Sequence, residues 1–108
     1  MLIQIEYRID AASRDAFLRA VRAIGPVRRR NGANSWRVFR DLAEDGLFVE
    51  RYIVSSWAEY VRQRSRMTVA DRHVQQEAEN HQREGVPVRV SRFLGVDLPA
   101  GRRQQLRK

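Results

Sequence analysis

An α+β domain is predicted by three features of this sequence. Leu2–Ile9 alternates apolar and polar residues with the period of a strand, and Asn34–Arg40, Leu47–Ser55 and Val88–Leu94, bounded by turn formers, read as three further strands. Phe17, Leu18, Val21 and Ile24 repeat at helical spacing, with Arg14, Arg19 and Arg22 mostly opposite. Between the third and fourth strands lie two helix-start signatures, Ser56 with Glu59 and Thr68 with Asp71, in the Ser/Thr-x-x-acid spacing that satisfies the orphan N–H groups of a first turn.

Taken in order, the first strand places Ile3, Ile5, Tyr7 and Ile9 on one face and Gln4, Glu6 and Arg8 on the other. Asp10 is placed to cap the helix that follows. Gly25-Pro26 should kink that helix, because proline lacks an N–H and crowds the preceding turn, and Asn31-Gly32 should end it. The second strand carries Trp36 and Val38 on one face, Arg37 and Phe39 on the other. A polar connection over Asp41–Gly46 returns the chain as the third strand, in which Phe48, Tyr52 and Val54 share a face with Glu50 while Val49 and Ile53 share theirs with Arg51. The Arg-Ser-Arg-Met stretch at 64–67 is an elbow between a short helix and a second one running from about Val69 towards Gln82. The element order is strand, helix, strand, strand, helix pair, strand: the split βαβ arrangement of ferredoxin-like folds, βαββαβ with its second helix divided in two. Residues 1–94 form one domain, and 95–108, rich in turn formers and then charge, read as a flexible basic tail.

Composition bounds the function. The 108 residues are 43% hydrophobic and 31% charged, the profile of an ordinary globular domain, and no apolar run approaches the ~20 residues of a membrane span. No leader is expected. Without cysteine there is no disulfide or thiolate chemistry. A net charge of +8 invites a polyanion, but the arginines are spread over every element, and only Arg28-Arg29-Arg30 and the tail (Arg102, Arg103, Arg107, Lys108) are clusters. No base-stacking aromatics interleave with them, so an anionic membrane surface is the expected attraction rather than nucleic acid.

Little catalytic vocabulary is present. His73, Glu77 and His81 recur every four residues, but the two histidines stand about 12 Å apart along a helix, too far to share a metal. No glycine-rich phosphate loop, nucleophile elbow or paired-carboxylate pattern occurs. No metal or cofactor is therefore expected. Trp57, at the joint between the third strand and the helix pair, is either a core aromatic or one wall of a cleft, with Tyr60 and Arg64 one and two turns further on.

The strand ending in Ser55-Ser56-Trp57, followed by a short helix and an elbow, resembles the antibiotic-biosynthesis-monooxygenase superfamily of dimeric α+β barrels. A closer resemblance covers residues 2–94: Ile5-Glu6-Tyr7-Arg8-Ile9-Asp10, Arg28-Arg29-Arg30-Asn31-Gly32-Ala33, Val49-Glu50-Arg51-Tyr52, Ser56-Trp57-Ala58-Glu59 and Arg66-Met67-Thr68-Val69-Ala70-Asp71-Arg72 look like the soluble C-terminal domain of major-facilitator exporters of the enterobactin-exporter type. That resemblance implies a cytoplasmic homodimeric domain that follows a transporter's membrane helices, here excised from one or free-standing. In the monooxygenases the pocket is associated with a tryptophan at the position of Trp57. The pocket candidates are accordingly Trp57, Tyr60, Arg64, His73 and, on the first strand, Gln4. Where the exporter-like relatives tend to carry histidines near the Trp-Ala-Glu segment, this chain has Tyr60 and Arg64. Arginine is too basic to remove a substrate proton at neutral pH. The expected function is thus a non-catalytic dimeric domain that binds a small aromatic or anionic molecule or regulates a transporter. The alternative is a cofactor-independent monooxygenase acting on an aromatic or polyketide-like compound.

Overall fold

Strand pairing sets the frame of the molecule. The computed structural model describes residues 1–100. Its sheet has the order β2-β3-β1-β4, in which β1 (Leu2–Arg8) and β3 (Leu47–Ile53) are central and β2 (Asn34–Arg40) and β4 (Arg89–Phe93) are edges. All neighbours are antiparallel. Directly paired residues share a face, so Ile3 with Tyr52, Ile5 with Glu50 and Val90, and Tyr7 with Phe48 point to one side. Gln4 with Arg51 and Glu6 with Val49 point to the other. The expected alternation therefore survives in register.

The helices cover the first of these faces. α1 (Arg14–Arg22) buries Phe17 and Val21, and the rings of Tyr7, Phe17 and Phe48 form a tilted stack with centroids 5.1 and 5.4 Å apart. Such offset pairs satisfy the ring quadrupoles while filling the core. Asp10 does not cap the helix. A 3-10 turn over Ala11–Ser13 intervenes, and the Asp10 carboxylate instead accepts from Arg83 Nε at 2.8 Å.

The helix breaks at Ala23 rather than kinking at Gly25-Pro26, and α2 (Ile24–Arg30) starts anew. Pro26 thereby falls in a first turn, where no intrahelical acceptor awaits its missing N–H. Gly25 has a packing reason: a Cβ there would come within 2.9 Å of the Trp36 ring. As expected, Asn31-Gly32 stops the helix, with Gly32 at φ +103°, a left-handed conformation that costs glycine nothing.

α3 (Trp57–Arg66) and α4 (Val69–Glu79) start at the two predicted caps. Thr68 and Asp71 form the complete reciprocal box. At α3 the Ser56 hydroxyl accepts from Glu59 N–H at 3.1 Å, but the Glu59 side chain turns to Arg62 and Arg66. α4 ends at Glu79, short of Gln82, which leaves His81 beyond the helix and removes it from any shared face with His73. Residues 95–100 have no regular structure and are exposed, and the basic residues of the expected tail lie outside the described residues.

Candidate functional site

The helix pair and the end of β4 enclose a cavity of about 690 Å³. The order of its walls follows from helix spacing. Trp57, Tyr60, Val61 and Arg64 recur at three- and four-residue steps and so line one face of α3. The elbow at Met67, in extended backbone, turns α4 so that Arg72, Gln75, Gln76 and Glu79 form the facing wall. Arg92, itself exposed, joins the lining from the edge strand β4.

Tyr60 is the centre of this arrangement. Its hydroxyl accepts from Arg92 Nε at 3.2 Å and, more loosely, from Arg64 Nη1 at 3.5 Å. Both guanidinium groups also lie against its ring, 5.3 and 5.9 Å from the centroid. The Trp57 ring stands tilted on Tyr60 with centroids 5.5 Å apart and is 58% exposed. Neither Arg64 nor Arg92 has a carboxylate within ion-pair distance among the described residues. Two cations therefore converge on a neutral oxygen at the bottom of an open cavity. Partial burial by itself would raise the Tyr60 pKa, but the hydrogen bonds and charges of Arg92 and Arg64 outweigh it and hold the phenol below its ordinary value.

A second group of the same residue types lies one layer deeper and is closed. The Glu50 carboxylate, fully buried on β3, accepts from Tyr7 Oη, Arg28 Nε and Trp36 Nε1, each at 2.9 Å. Arg28 also lies over the Tyr52 ring at 5.0 Å and donates to Gln75 Oε1 at 3.3 Å. Arg28 was expected in a basic surface cluster; it is instead an internal cation compensated by Glu50. Its neighbours are also engaged, Arg29 over the Trp36 ring and Arg30 with Asp71.

Of the residues singled out from the sequence, Trp57, Tyr60 and Arg64 come together in this cavity. His73 and Gln4 do not. His73 is exposed on α4 and is not among the residues lining the cavity. Gln4 is on the opposite face of the sheet, 3.5 Å from Glu6 and beside Phe39 and Arg51. Arg92, Gln75 and Glu79 were missed. Arg92 could have been found by its register, since alternation in β4 puts it on the same face as Val90, and the pairing of β4 with β1 turns that face to the helices. Among the described residues no three His, Asp or Glu side chains are grouped to hold a metal ion, and no helix is long and apolar enough to cross a membrane.

This antiparallel sheet, covered on one face by helices, is similar in fold to several solved structures described as antibiotic biosynthesis monooxygenases. A putative one from Caulobacter crescentus CB15 aligns with a TM-score of 0.73 at 10% identity, over 89% of this chain and 89% of that one. Another from Nitrosomonas europaea aligns with a TM-score of 0.69 at 13% identity, covering 90% of this chain and 100% of that one. A third, from Deinococcus radiodurans, gives 0.68 at 12% identity, covering 94% and 99%. At these identities the likeness is one of fold. The model of the family described as transmembrane secretion effector matches residues 1–100, and the chain belongs to that family. No curated protein matches.

Proposed function

We propose that this chain is a non-catalytic ligand-binding domain, the cytoplasmic regulatory part of an exporter or a free-standing relative of one, whose cavity takes a small aromatic anion. The observation that carries this reading is the convergence of Arg64 and Arg92 on Tyr60 beneath the half-exposed ring of Trp57. An anion entering there meets two cations with no carboxylate within ion-pair distance among the described residues, and an aromatic body meets an indole face already positioned by Tyr60. Binding of 2-naphthoate, followed by calorimetry and by Trp57 fluorescence in a Trp36→Phe background, tests it. Saturable binding that weakens when salt is raised is expected. No response to any aromatic anion at millimolar concentration overturns it.

The domain acts as a homodimer that pairs sheet against sheet. Supporting this are Phe39 and Phe93, exposed on the face turned away from the helices, with Arg37 and Arg51 lying over the Phe39 ring at 5.3 and 5.9 Å. A second copy placed on that face is the closed, symmetric way to cover it. A monomer mass by light scattering at tens of micromolar contradicts this. Attraction to an anionic membrane rests on the tail alone, since Arg28 is buried and Arg29 and Arg30 are engaged within the domain.

A second reading, cofactor-independent oxygenation, is favoured by one observation: Tyr60, held below its ordinary pKa by two arginines, and the Glu79 carboxylate of the facing wall are the groups in the cavity that can accept a proton. Oxygen uptake with a hydroxynaphthalene distinguishes the two; none is expected.

A further inference from the structure

Along the α4 wall of the open cavity the charge changes sign. Arg72 stands near the elbow and Glu79 at the last residue of the helix, about 10 Å further along its axis. Glu79 is half-buried, and no cationic side chain lies within ion-pair distance of it among the described residues. It is held in place from the core. Arg28, 8% exposed and paired with Glu50, donates through Nη1 to Gln75 Oε1 at 3.3 Å. Because that oxygen is the acceptor, the amide nitrogen faces the other way, and Gln75 Nε2 donates to Glu79 Oε2 at 3.0 Å. Glu50, Arg28, Gln75 and Glu79 thus form a chain of hydrogen bonds that starts in the sealed cluster and ends at the cavity wall. Helix stability does not account for an anion there, since the last turn is the negative end of the helix dipole.

A carboxylate has about four acceptor positions, and Gln75 fills one. Glu79 lines the cavity, so the others are open to a donor held there. The cavity therefore has two chemically opposite ends. Arg64 and Arg92, at Tyr60, offer N–H donors to an anion, whereas Glu79 repels an anion and offers an acceptor. Neither guanidinium is within ion-pair distance of Glu79, so the two ends do not neutralise each other. A cavity of about 150 Å³ admits a benzene ring, so the volume of about 690 Å³ leaves room for a fused ring system between them. We propose, resting on the ligand-binding reading above, that the site selects aromatic acids bearing a hydrogen-bond donor, a phenolic hydroxyl or an amine, at the end remote from the carboxylate. The carboxylate sits at Arg64 and Arg92, the rings lie against Trp57, and the far donor reaches Glu79. Glu79 is then the specificity-determining residue, and Gln75 positions it.

Three acids that differ only at the far position test this on the full chain by calorimetry at neutral pH. 6-Hydroxy-2-naphthoate carries a donor, 6-methoxy-2-naphthoate has the same oxygen without its hydrogen, and 2-naphthoate has neither. The wild-type chain should bind the hydroxy acid roughly tenfold more tightly than the methoxy acid, the effect of one hydrogen bond to a charged acceptor. Glu79→Met, which keeps the length of the side chain and removes charge and acceptor together, should bring those two acids to equal affinity. Binding of 2-naphthoate, read on the same sample, shows that the fold and the arginine end persist. Gln75→Leu leaves Glu79 present but unpinned and should narrow the preference for the hydroxy acid; a ratio between two ligands on one protein is not moved by a general loss of stability. Equal affinity of the wild type for the hydroxy and methoxy acids, or a preference that survives Glu79→Met, overturns the role of Glu79, while 2-naphthoate binding leaves the ligand-binding reading standing. If none of the three acids binds the wild-type chain, both fall together.

Discussion

Two clusters in this domain are made from the same parts and do opposite things. Around Glu50 an arginine, a tyrosine and a tryptophan all direct donors at one buried carboxylate, and every charge has its counterpart. Around Tyr60 two arginines and a tryptophan surround a neutral hydroxyl in an open cavity, and neither guanidinium has a carboxylate within ion-pair distance among the described residues, Glu79 of the facing wall included. The difference is a carboxylate in direct contact with the arginine. With it the cluster is a closed piece of core that ties β3 to α2; without it the cluster awaits an anion from outside. Residue type alone does not distinguish a structural arginine from a binding one. What distinguishes them is whether the protein itself completes the charge balance.

The largest effect that bears on this contrast is expected at the closed cluster. Glu50→Ala leaves Arg28 buried and unpaired and should destabilise the domain by about 3–5 kcal/mol in urea unfolding. Arg92→Met, at the open cluster, should change the urea midpoint little and remove most 2-naphthoate binding by calorimetry. Equal stability losses at the two sites would erase the distinction. A smaller loss, about 1–3 kcal/mol, is expected for Gly25→Ala, whose methyl group would press on Trp36 and shift its Nε1 from Glu50. The same denaturation measurement checks it, and binding at the open site should persist.

The mildest perturbation is titration of the three tyrosines, one or more of which belong to each neighbourhood. Burial, with the Glu50 charge adding to it, pushes the Tyr7 phenol far up. Burial pushes Tyr52 up to about 12. Tyr60, held down by Arg92 and Arg64, should ionise first and below 10.0. Ultraviolet difference absorbance should resolve a single early step that vanishes in Tyr60→Phe. The linkage has opposite signs. Tyr7 and Tyr52, raised in the fold, contribute stability that is fully present below the unfolded value of 10.0 and is lost as pH climbs above it. Tyr60, lowered in the fold, adds stability as pH rises through its own folded value.

The fold was legible because its signals are local. Alternation in β1 and the helix starts at Ser56 and Thr68 depend on neighbours within a few residues, and they appear in the structure where the sequence places them, with the reciprocal box complete only at Thr68/Asp71. Trp57, Tyr60 and Arg64 were legible for the same reason, being one face of one short helix. Arg92 and Glu50 were not. Arg92 reaches Tyr60 across 32 residues of chain, and Glu50 draws its donors from β1, α2 and β2, so both depend on which strands are neighbours. A glutamate amid Phe48 and Tyr52 reads as a blemish on an apolar face until its three donors are in view. The triple arginine failed in the same way: adjacency in sequence suggested one patch, but α2 turns about 100° per residue and sends its members to three different partners.

The extended residue between α3 and α4 has a mechanical consequence. With φ −64° and ψ 127°, Met67 belongs to neither helix, and each segment is finished on its own, α4 by the Thr68–Asp71 box. Rotation about those two torsions swings one wall of the cavity against the other without breaking a hydrogen bond internal to either helix. A continuous helix would resist such bending along its whole length. The aperture is thus set by a joint rather than by a beam, and the setting of the α4 wall is fixed by its own contacts to α2, Arg30 with Asp71 and Arg28 with Gln75.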